Sequence, residues 1–385
     1  MNRSISTHQT DVFSDQARAK PNEAANDEAV HQSNISMLSE VSTHDMGALN
    51  KMEMLPSSDN PRKLRSAIRL VKTNDLERDK WLAVRKSGIG SSDAAAAVGL
   101  NPYKSRLELW LEKTGRDAEL PQVDPNDESS PMYWGILLEH VVAAHYTKRT
   151  SNRVRRVNAV LQHPEHAWML ANLDRVVASS PDVQILECKT AGINGAKLWR
   201  EGVPEYIQLQ VLHQLAVTGH QAADVAVLIG GQDLQIHRIH RDEAMIKQLI
   251  ALEQQFWDLV LTDTAPAADG SDSAETALRA LYPRDTGSVV DFSDDLEMQQ
   301  VFSDLRDVRQ QIVSQEQAEA QLKQRIQQRM GDCSKALFES GAISWKRSKD
   351  GSSVDLSKMQ QEHPELVEQY RVVKPGSRRF LLQEA

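Results

Sequence analysis

A seven-residue segment in the middle of the chain changes from apolar to charged. Residues 183–189, Val-Gln-Ile-Leu-Glu-Cys-Lys, begin with strand-forming side chains and end with charged ones. Successive side chains of a strand point to opposite faces, so Glu187 and Lys189 share one face while Cys188 points into the packing behind it. The pattern is typical of a buried strand that delivers charged side chains to a cleft. It therefore predicts a sheet with a charged site where this strand ends.

A second carboxylate precedes this strand. Asp174 lies thirteen residues before Glu187 and leads into the preceding predicted strand. Two carboxylates around one point form an all-oxygen site suited to Mg²⁺ or Mn²⁺, and Lys189 beside them can orient a water molecule for attack on a phosphate. These residues predict the chemistry of a metal-dependent nuclease. On spacing alone, a solvated hairpin face is the simpler interpretation.

Another aspartate, Asp182, is a competing candidate because it follows a proline, as the aspartate of this class of motif usually does. It lies in a turn signature, Ser-Ser-Pro-Asp at 179–182, only five residues before Glu187. That separation is too short for a preceding strand. Asp174 is therefore the preferred acid.

Five short segments extend the pattern over a longer part of the chain. They are Trp-Leu-Ala-Val-Arg-Lys-Ser-Gly-Ile-Gly-Ser-Ser-Asp at 81–93, Tyr-Trp-Gly-Ile-Leu-Leu-Glu at 133–139, Asp174, Glu-Cys-Lys at 187–189 and Tyr-Ile-Gln-Leu-Gln at 206–210. In this order they resemble the YqaJ-type viral recombinase family, which includes lambda exonuclease within the PD-(D/E)xK nuclease superfamily. The resemblance covers roughly residues 78–260, under half of the chain. It departs from the family before Asp174, where a leucine stands in place of the usual proline.

The resemblance implies a fold and an activity. The fold is α/β, with a PD-(D/E)xK nuclease core whose mixed central β-sheet is flanked by helices. The activity is a metal-dependent 5′ to 3′ exonuclease that uses Mg²⁺ or Mn²⁺, acts on double-stranded DNA ends and leaves 3′ overhangs for phage-type recombination. A single-strand annealing protein is the implied partner, and a homotrimer around the duplex is the implied assembly.

The resemblance also implies roles for individual residues of the centre. Asp174, Glu187, Lys189 and Gln210 are the implied catalytic residues, and Asp174 and Glu187 would hold the metal. Gln210 lies on an apolar segment that suits a buried helix, where it is implied to contact Lys189 and the scissile phosphate.

Two further glutamines of the same segment, Gln208 and Gln214, are interpreted as polar surface positions. Glu139 is implied to be a third metal ligand, or a carboxylate bonded to metal-bound water. From the residues alone, Glu139 is a solvated position on an apolar helix.

The segment 85–98 is predicted to be a loop that enters a helix. Its glycines and hydroxyls at 88–93 supply flexible backbone and capping groups, and the alanines that follow favour a helix ending at Gly99. On the residues alone, an ordinary capped helix is the commoner interpretation. The resemblance implies that Arg85 and Ser92 bind the 5′-terminal phosphate, which would impose the 5′ to 3′ direction.

Composition limits the class of protein. The chain has 385 residues, 40% of them hydrophobic, and contains neither a run of eighteen apolar residues nor a secretory signal pattern. It has two distant cysteines, Cys188 and Cys333, without a Cys/His cluster at metal spacing. These features predict a cytoplasmic protein that does not associate with membranes, and they argue against zinc and cysteine-ligated iron–sulfur sites.

The formal net charge of −9 is unevenly distributed. Residues 1–50 contain three Lys or Arg against seven Asp or Glu, whereas residues 61–116 contain thirteen against six. A second basic cluster, with five Lys or Arg, lies within 148–156. The predicted nuclease part is therefore basic where it would contact phosphates.

Composition also predicts the domain organisation. Residues 1–60 are predicted to be a disordered tail, 61–262 the nuclease domain, 263–290 a linker, and 291–385 a helical and small-β region of unknown role.

Within the last region, the segment 294–330 lacks Pro and Gly, which favours one long helix or a helical hairpin. Its apolar residues follow a heptad pattern that serves either core packing or self-association. Short strands are predicted at 342–346 and 378–382.

Two alternative functions stay open at this point. One is a structure-specific or restriction-like endonuclease of the same fold, which would not need a DNA end. The other is a non-catalytic module that binds DNA ends or proteins. Such a module is expected to lack an acid or the lysine, and this chain has all of them.

Overall fold

A computed structural model describes residues 67–383, apart from residues 75, 123 and 375. The chain divides after Leu281 into two compact units. The predicted disordered tail, residues 1–60, lies outside the described residues. In the part of the chain that the structure describes, no helix is long and apolar enough to cross a membrane.

The strands of the first unit form two mixed sheets. They are β1 (Ile68–Lys72), β2 (Ile89–Gly90), β3 (Val154–Arg155), β4 (Ala159–Gln162), β5 (Met169–Ala171), β6 (Arg175–Val177), β7 (Ile185–Ala191), β8 (Ala222–Ile229) and β9 (Asp233–His240). One sheet has the order β1-β4-β5-β2 and the other β3-β6-β7-β8-β9. The pairs β2–β5 and β7–β8 are parallel and the remaining pairs are antiparallel.

Helices cover these sheets. They are α1 (Arg78–Lys86), α2 (Ala94–Ala97), α3 (Arg106–Lys113), α4 (Pro131–Thr150), α5 (Glu205–Thr218), α6 (Glu243–Leu261) and α7 (Asp272–Leu281). Short 3₁₀ turns lie at Ser91–Asp93, Asp117–Glu119 and Gly195–Trp199. Helix α5 connects β7 to β8, as the parallel pairing of these strands requires. The mixed sheets and flanking helices agree with the predicted fold class.

Strand β7 lies between two helices because its side chains alternate between two cores. Ile185 packs with the buried residues of α5, including Val211. Leu186 packs with α4, including Val142. Glu187 and Lys189 follow Ile185 at intervals of two, so they face α5. Cys188 packs on the α4 side, as the alternation predicts.

The predicted linker over residues 263–290 is wrong where it includes α7. Ala274 and Ala277 of this helix are buried, and Ala277 packs with Leu107 of α3 and Phe256 of α6. The backbone N–H of Ser105 donates to Ser273 Oγ at 2.7 Å. The first unit therefore extends to Leu281 and does not end near residue 262. Its last helix buries only small side chains, which give a weak hydrophobic signal in the sequence.

We expect Ala277→Asp to lower the free energy of unfolding of the first unit by about 3 kcal/mol or more, because it buries an unpaired carboxylate. Leu278→Asp is the matched control, because its parent side chain is 39% exposed. The control should change stability by under about 1 kcal/mol. Urea unfolding followed by tryptophan fluorescence measures both. Equal effects would mean that α7 does not pack on this core.

The second unit is helical with a small hairpin, as predicted. Its elements are α8 (Leu296–Met330), β10 (Lys335–Phe338), β11 (Gly341–Ser344), α9 (Leu356–Glu362) and α10 (Pro364–Gln369). Helix α8 is one continuous helix rather than a helical hairpin. The hairpin of β10 and β11 confirms the first predicted strand over most of its length.

The second predicted strand, at 378–382, is wrong. This segment is neither helix nor strand. One of its side chains contacts a distant backbone group: Arg378 Nη1 donates to the Tyr282 backbone oxygen at 3.3 Å. The heptad side chains Val301, Val308 and Ile312 of α8 are about half exposed. The self-association interpretation of this helix stays a prediction.

Candidate active site

The pairing of β6 with β7 brings two predicted acids together. Arg175 lies opposite Leu186 in this antiparallel pair, so the preceding Asp174 lies opposite Glu187. Asp174 Oδ2 accepts a hydrogen bond from the backbone N–H of Cys188 at 2.8 Å. Glu187 is only 2% exposed. The strand register therefore holds two carboxylates at one end of the hairpin.

Lys189 and Gln210 complete this group, which we call the acid–lysine centre: Asp174, Glu187, Lys189 and Gln210. Lys189 Nζ lies 2.8 Å from Glu187 Oε1 and donates to Gln210 Oε1 at 3.0 Å. Gln210 Nε2 donates to the same Glu187 oxygen at 2.6 Å. The Gln210 amide thus hydrogen-bonds to both Lys189 and Glu187. The predicted contact between Gln210 and Lys189 is present.

The electrostatics of the centre favour an added positive charge. Burial and the neighbouring Glu187 raise the pKa of Asp174 to about 8, although Lys189 and the hydrogen bond from the Cys188 N–H act to lower it. Burial acts to lower the pKa of Lys189, but Glu187 and Asp174 outweigh it, so that pKa is raised. One lysine thus faces two acids. The residues present fit a hard divalent cation, because the donors are oxygens and a cation would relieve the repulsion between the acids.

Glu139 lies on α4 and has a different partner. It forms an ion pair with Arg175, whose Nη1 donates to Glu139 Oε1. Among the residues that the structure describes, no three His, Cys, Asp or Glu side chains form a group that could hold a metal ion. The negative charge of Glu139 still acts on Asp174, since it helps to raise that pKa. Glu139 is therefore a neighbour of the two acids without forming a three-carboxylate cluster with them.

Gln214 belongs to the site, and its predicted surface position is wrong. It is fully buried, and its Nε2 donates to Glu187 Oε2 at 2.8 Å and to the Asn172 backbone oxygen at 3.4 Å. Both oxygens of Glu187 thus receive side-chain amide donors from α5. The sequence signal for this role is that Gln214 follows Gln210 by one helical turn on a largely apolar helix, which places both amides on the same side. Gln208 is exposed, as expected.

A buried pair formed by His213 of α5 and Glu253 of α6 fastens α5 to its surroundings. His213 and Glu253 are fully buried, with His213 Nδ1 at 2.7 Å from Glu253 Oε1. His213 Nε2 lies 3.0 Å from the Leu170 backbone oxygen. The pair links α5 to α6 and to the β5 strand, which runs toward Asp174.

Arg85 and Ser92 meet, but the local structure differs from the predicted loop and capped helix. Arg85 lies in the last turn of α1, and β2 and a 3₁₀ turn follow it. Helix α2 has only four residues and no side-chain cap. Arg85 Nη2 donates to Ser92 Oγ at 3.2 Å, and its guanidinium lies over the Trp81 ring at 5.0 Å. Gly88 allows the close backbone approach here, because a Cβ would lie 2.4 Å from the Trp168 backbone oxygen.

Asp93, which the sequence did not single out, anchors this Arg85–Ser92 pair. It is buried and accepts from Arg85 Nη2 at 3.3 Å and from Lys113 Nζ at 2.7 Å. Burial acts to raise the pKa of Asp93, but Lys113, Arg85 and Lys104 together hold it well below its ordinary value. The 3₁₀ turn that carries Ser92 and Asp93 packs against α5. The same helix therefore supports the Arg85–Ser92 pair and the acid–lysine centre.

Asp182 is outside the centre. It is exposed, and its backbone N–H donates to Ser180 Oγ at 3.2 Å within a turn, as its sequence neighbours predict.

Fold and site together define a mixed α/β protein with paired acids and a lysine at the end of a central hairpin. The profile of the YqaJ-like viral recombinase domain matches residues 80–221. The uncharacterized protein YqaJ of Bacillus subtilis is 34% identical over 322 residues, which is 82% of this chain and 97% of that protein. A protein of African swine fever virus is 36% identical over 75 residues, 19% of this chain and 20% of that protein. This chain belongs to the YqaJ-like viral recombinase family.

Two solved structures also resemble this chain over 48% of its length. The alkaline exonuclease LHK-Exo from Laribacter hongkongensis is 21% identical, has 93% of its chain covered and gives a TM-score of 0.40. A phage related exonuclease from Haemophilus somnus is 10% identical, has 99% of its chain covered and gives a TM-score of 0.31.

The raised pKa of Asp174 predicts a pH dependence of stability in the absence of divalent cations. A carboxyl whose pKa is raised by folding stabilises the fold while it is protonated, so its contribution is lost as pH rises from about 4 through about 8. In EDTA, the free energy of unfolding of the wild type should fall more between about pH 5 and about pH 9 than that of Asp174→Asn. The expected difference is about 1 kcal/mol or more. Denaturant titrations at several pH values measure it.

Asp182→Asn is the control for this experiment and should behave as the wild type does. Parallel pH profiles for the wild type and Asp174→Asn would contradict the electrostatic account of the acid–lysine centre.

Proposed function

We propose that this protein is a metal-dependent exonuclease that acts on the ends of double-stranded DNA. It would degrade one strand from 5′ to 3′ and leave a 3′ overhang for phage-type recombination. The observation that carries the proposal is the contact of Lys189 with Glu187 and Gln210 beside Asp174, in a chain of a viral recombinase family. This arrangement joins a place for a cation to a lysine that can act on water.

Each residue of the acid–lysine centre would have a defined task. Asp174 and Glu187 would hold Mg²⁺ or Mn²⁺, which supplies charge stabilisation at the phosphate and makes water more acidic. Lys189 would orient the attacking water and assist in removing its proton. Gln210 would hold Lys189 in place and lie near the scissile phosphate. Glu139 would add a carboxylate beside this water, consistent with its effect on Asp174.

The Arg85–Ser92 pair would bind the 5′-terminal phosphate. The guanidinium and the hydroxyl already converge, and Asp93 and Trp81 hold the arginine side chain in that direction. A guanidinium forms charge-assisted hydrogen bonds with phosphate oxygens. A phosphate held at this position would present the adjacent phosphodiester to the centre, which gives the 5′ to 3′ direction.

Protein partners form the last part of the proposal. As the family resemblance implies, the partner would be a single-strand annealing protein and the assembly around DNA a homotrimer. Helix α4 leaves Trp134, Ile136 and Leu137 substantially exposed, and an exposed apolar patch of this kind is typical of a protein interface.

We expect Lys189→Ala to lower the cleavage rate of linear, 5′-phosphorylated duplex by at least about a hundredfold, because a positioned proton-transfer group contributes that much. Binding to DNA ends should be retained. The measurement is digestion in Mg²⁺ of duplex DNA labelled at its 3′ or its 5′ end. The order in which the labels are released also shows the direction of digestion. Lys358→Ala replaces an exposed lysine of the second unit and is the control. Activity within tenfold of the wild type would exclude the proposed role of Lys189.

The same assay on covalently closed circular DNA separates the alternatives. Cleavage of the circles would indicate an endonuclease of the same fold. End binding without any cleavage, with each divalent cation tested, would indicate a non-catalytic DNA-end-binding module.

Arg85→Ala should slow digestion of 5′-phosphorylated duplex by roughly tenfold to a hundredfold, because a charge-assisted hydrogen bond contributes about 1.5 to 3 kcal/mol. Digestion of a 5′-hydroxyl duplex should change much less, so the mutant loses its preference for phosphate. Lys86→Ala is the matched control, since this neighbouring cation is paired with Asp117 at 2.7 Å. Equal slowing on both substrates would make Arg85 a general backbone contact.

A further inference from the structure

Tyr103 is a large aromatic side chain that is 65% exposed in the loop before α3. The loop is fixed locally, because Asn101 Oδ1 accepts the backbone N–H groups of Tyr103 at 2.8 Å and of Lys104 at 3.1 Å. The Tyr103 ring meets the Tyr206 ring edge to face, with centroids 5.7 Å apart and planes at 88°. The Tyr103 ring is therefore positioned by its neighbours and still open to a ligand.

This aromatic pair is connected to both parts of the proposed site through its neighbours. Tyr206 is in the first turn of α5, four residues before Gln210, so the two side chains lie on the same side of the helix about one turn apart. Lys104, the neighbour of Tyr103, is close enough to Asp93 for its charge to act on that carboxyl. Asp93 in turn binds Arg85. Tyr103 is thus linked through Lys104 to the surroundings of the Arg85–Ser92 pair. Through Tyr206 it is linked to the helix that bears Gln210 and packs against the Ser91–Asp93 turn.

We propose that Tyr103, supported by Tyr206, stacks on the base of the 5′-terminal nucleotide. The proposal rests on the proposed function and adds a nucleobase contact to it. A nucleotide with its 5′ phosphate at Arg85 and its 3′ phosphodiester at the acid–lysine centre must place its base beside the line that joins them. An exposed aromatic ring there presents a π surface to that base.

The chemistry of stacking fits an enzyme that must accept every base. Each base has a π face, so stacking on an aromatic ring is tolerant of sequence, unlike hydrogen bonding to base edges. Stacking would also stabilise a terminal base that has separated from its partner strand. The Tyr103 ring is therefore expected to strengthen binding of the terminal nucleotide rather than to take part in the chemical step.

The test compares two 5′-phosphorylated duplexes that differ only at the terminal nucleotide, which carries either a base or a tetrahydrofuran abasic residue. On the duplex whose terminal nucleotide carries a base, and at subsaturating DNA, the Tyr103→Ala variant should remove that nucleotide roughly tenfold more slowly than the wild type. The cause should be a higher KM and not a lower kcat. On the abasic duplex, the variant and the wild type should differ by under about twofold. Tyr103→Phe and Tyr103→Trp should retain wild-type rates, and Tyr370→Ala, an exposed tyrosine of the second unit, is the control.

A second measurement does not depend on cleavage. In EDTA, the fluorescence of a 5′-terminal 2-aminopurine should be quenched on binding to the wild type and to Tyr103→Phe, but not on binding to Tyr103→Ala. Equal slowing of Tyr103→Ala on both duplexes, or quenching that survives this substitution, would overturn the stacking role. Failure of the wild type to cleave either duplex would count against the proposed function, while the fluorescence result would still decide the nucleobase contact.

Discussion

The burial of two like charges at the end of one hairpin is the constraint on which the rest of the site depends. Asp174 and Glu187 cannot both be ionised in this environment without compensation, and the raised pKa of Asp174 expresses that conflict. The protein supplies one lysine, the Cys188 N–H and two glutamine amides as partial compensation. A bound cation would relieve the remaining imbalance of charge, so the burial that destabilises these carboxylates would also favour the proposed metal site.

Helix α5 is the element that makes this compensation possible. One side of it contributes Gln210 and Gln214 to Glu187, while His213 fastens it to Glu253 and to the β5 backbone. Because the helix also contacts the 3₁₀ turn at Ser91–Asp93, a displacement of α5 would disturb the Arg85–Ser92 pair together with the acid–lysine centre. Both groups of residues therefore depend on the position of a single packed helix.

The sequence predicts those parts of the site that follow from local alternation or from recognisable motifs. Glu187 and Lys189 share a face because they are two residues apart in a strand, and the structure has them so. The burial of Gln214 does not follow from periodicity, because the polar side chains of α5, which include the exposed Gln208, are not confined to one face of the helix. The pairing of Glu139 with Arg175 and the packing of α7 through Ala277 depend on contacts between distant segments, which periodicity does not encode.

Because α5 packs against both sites, the structure has a consequence for the length of the product that the proposed reaction would release. If the Arg85–Ser92 pair holds one phosphate and the acid–lysine centre cuts another, the number of nucleotides released at each step is set by the distance between two places on the folded protein. Neither place belongs to a long loop: one is a short turn packed on α5, and the other is a paired strand facing α5. Step size would then be a property of the fold, constant along any DNA sequence.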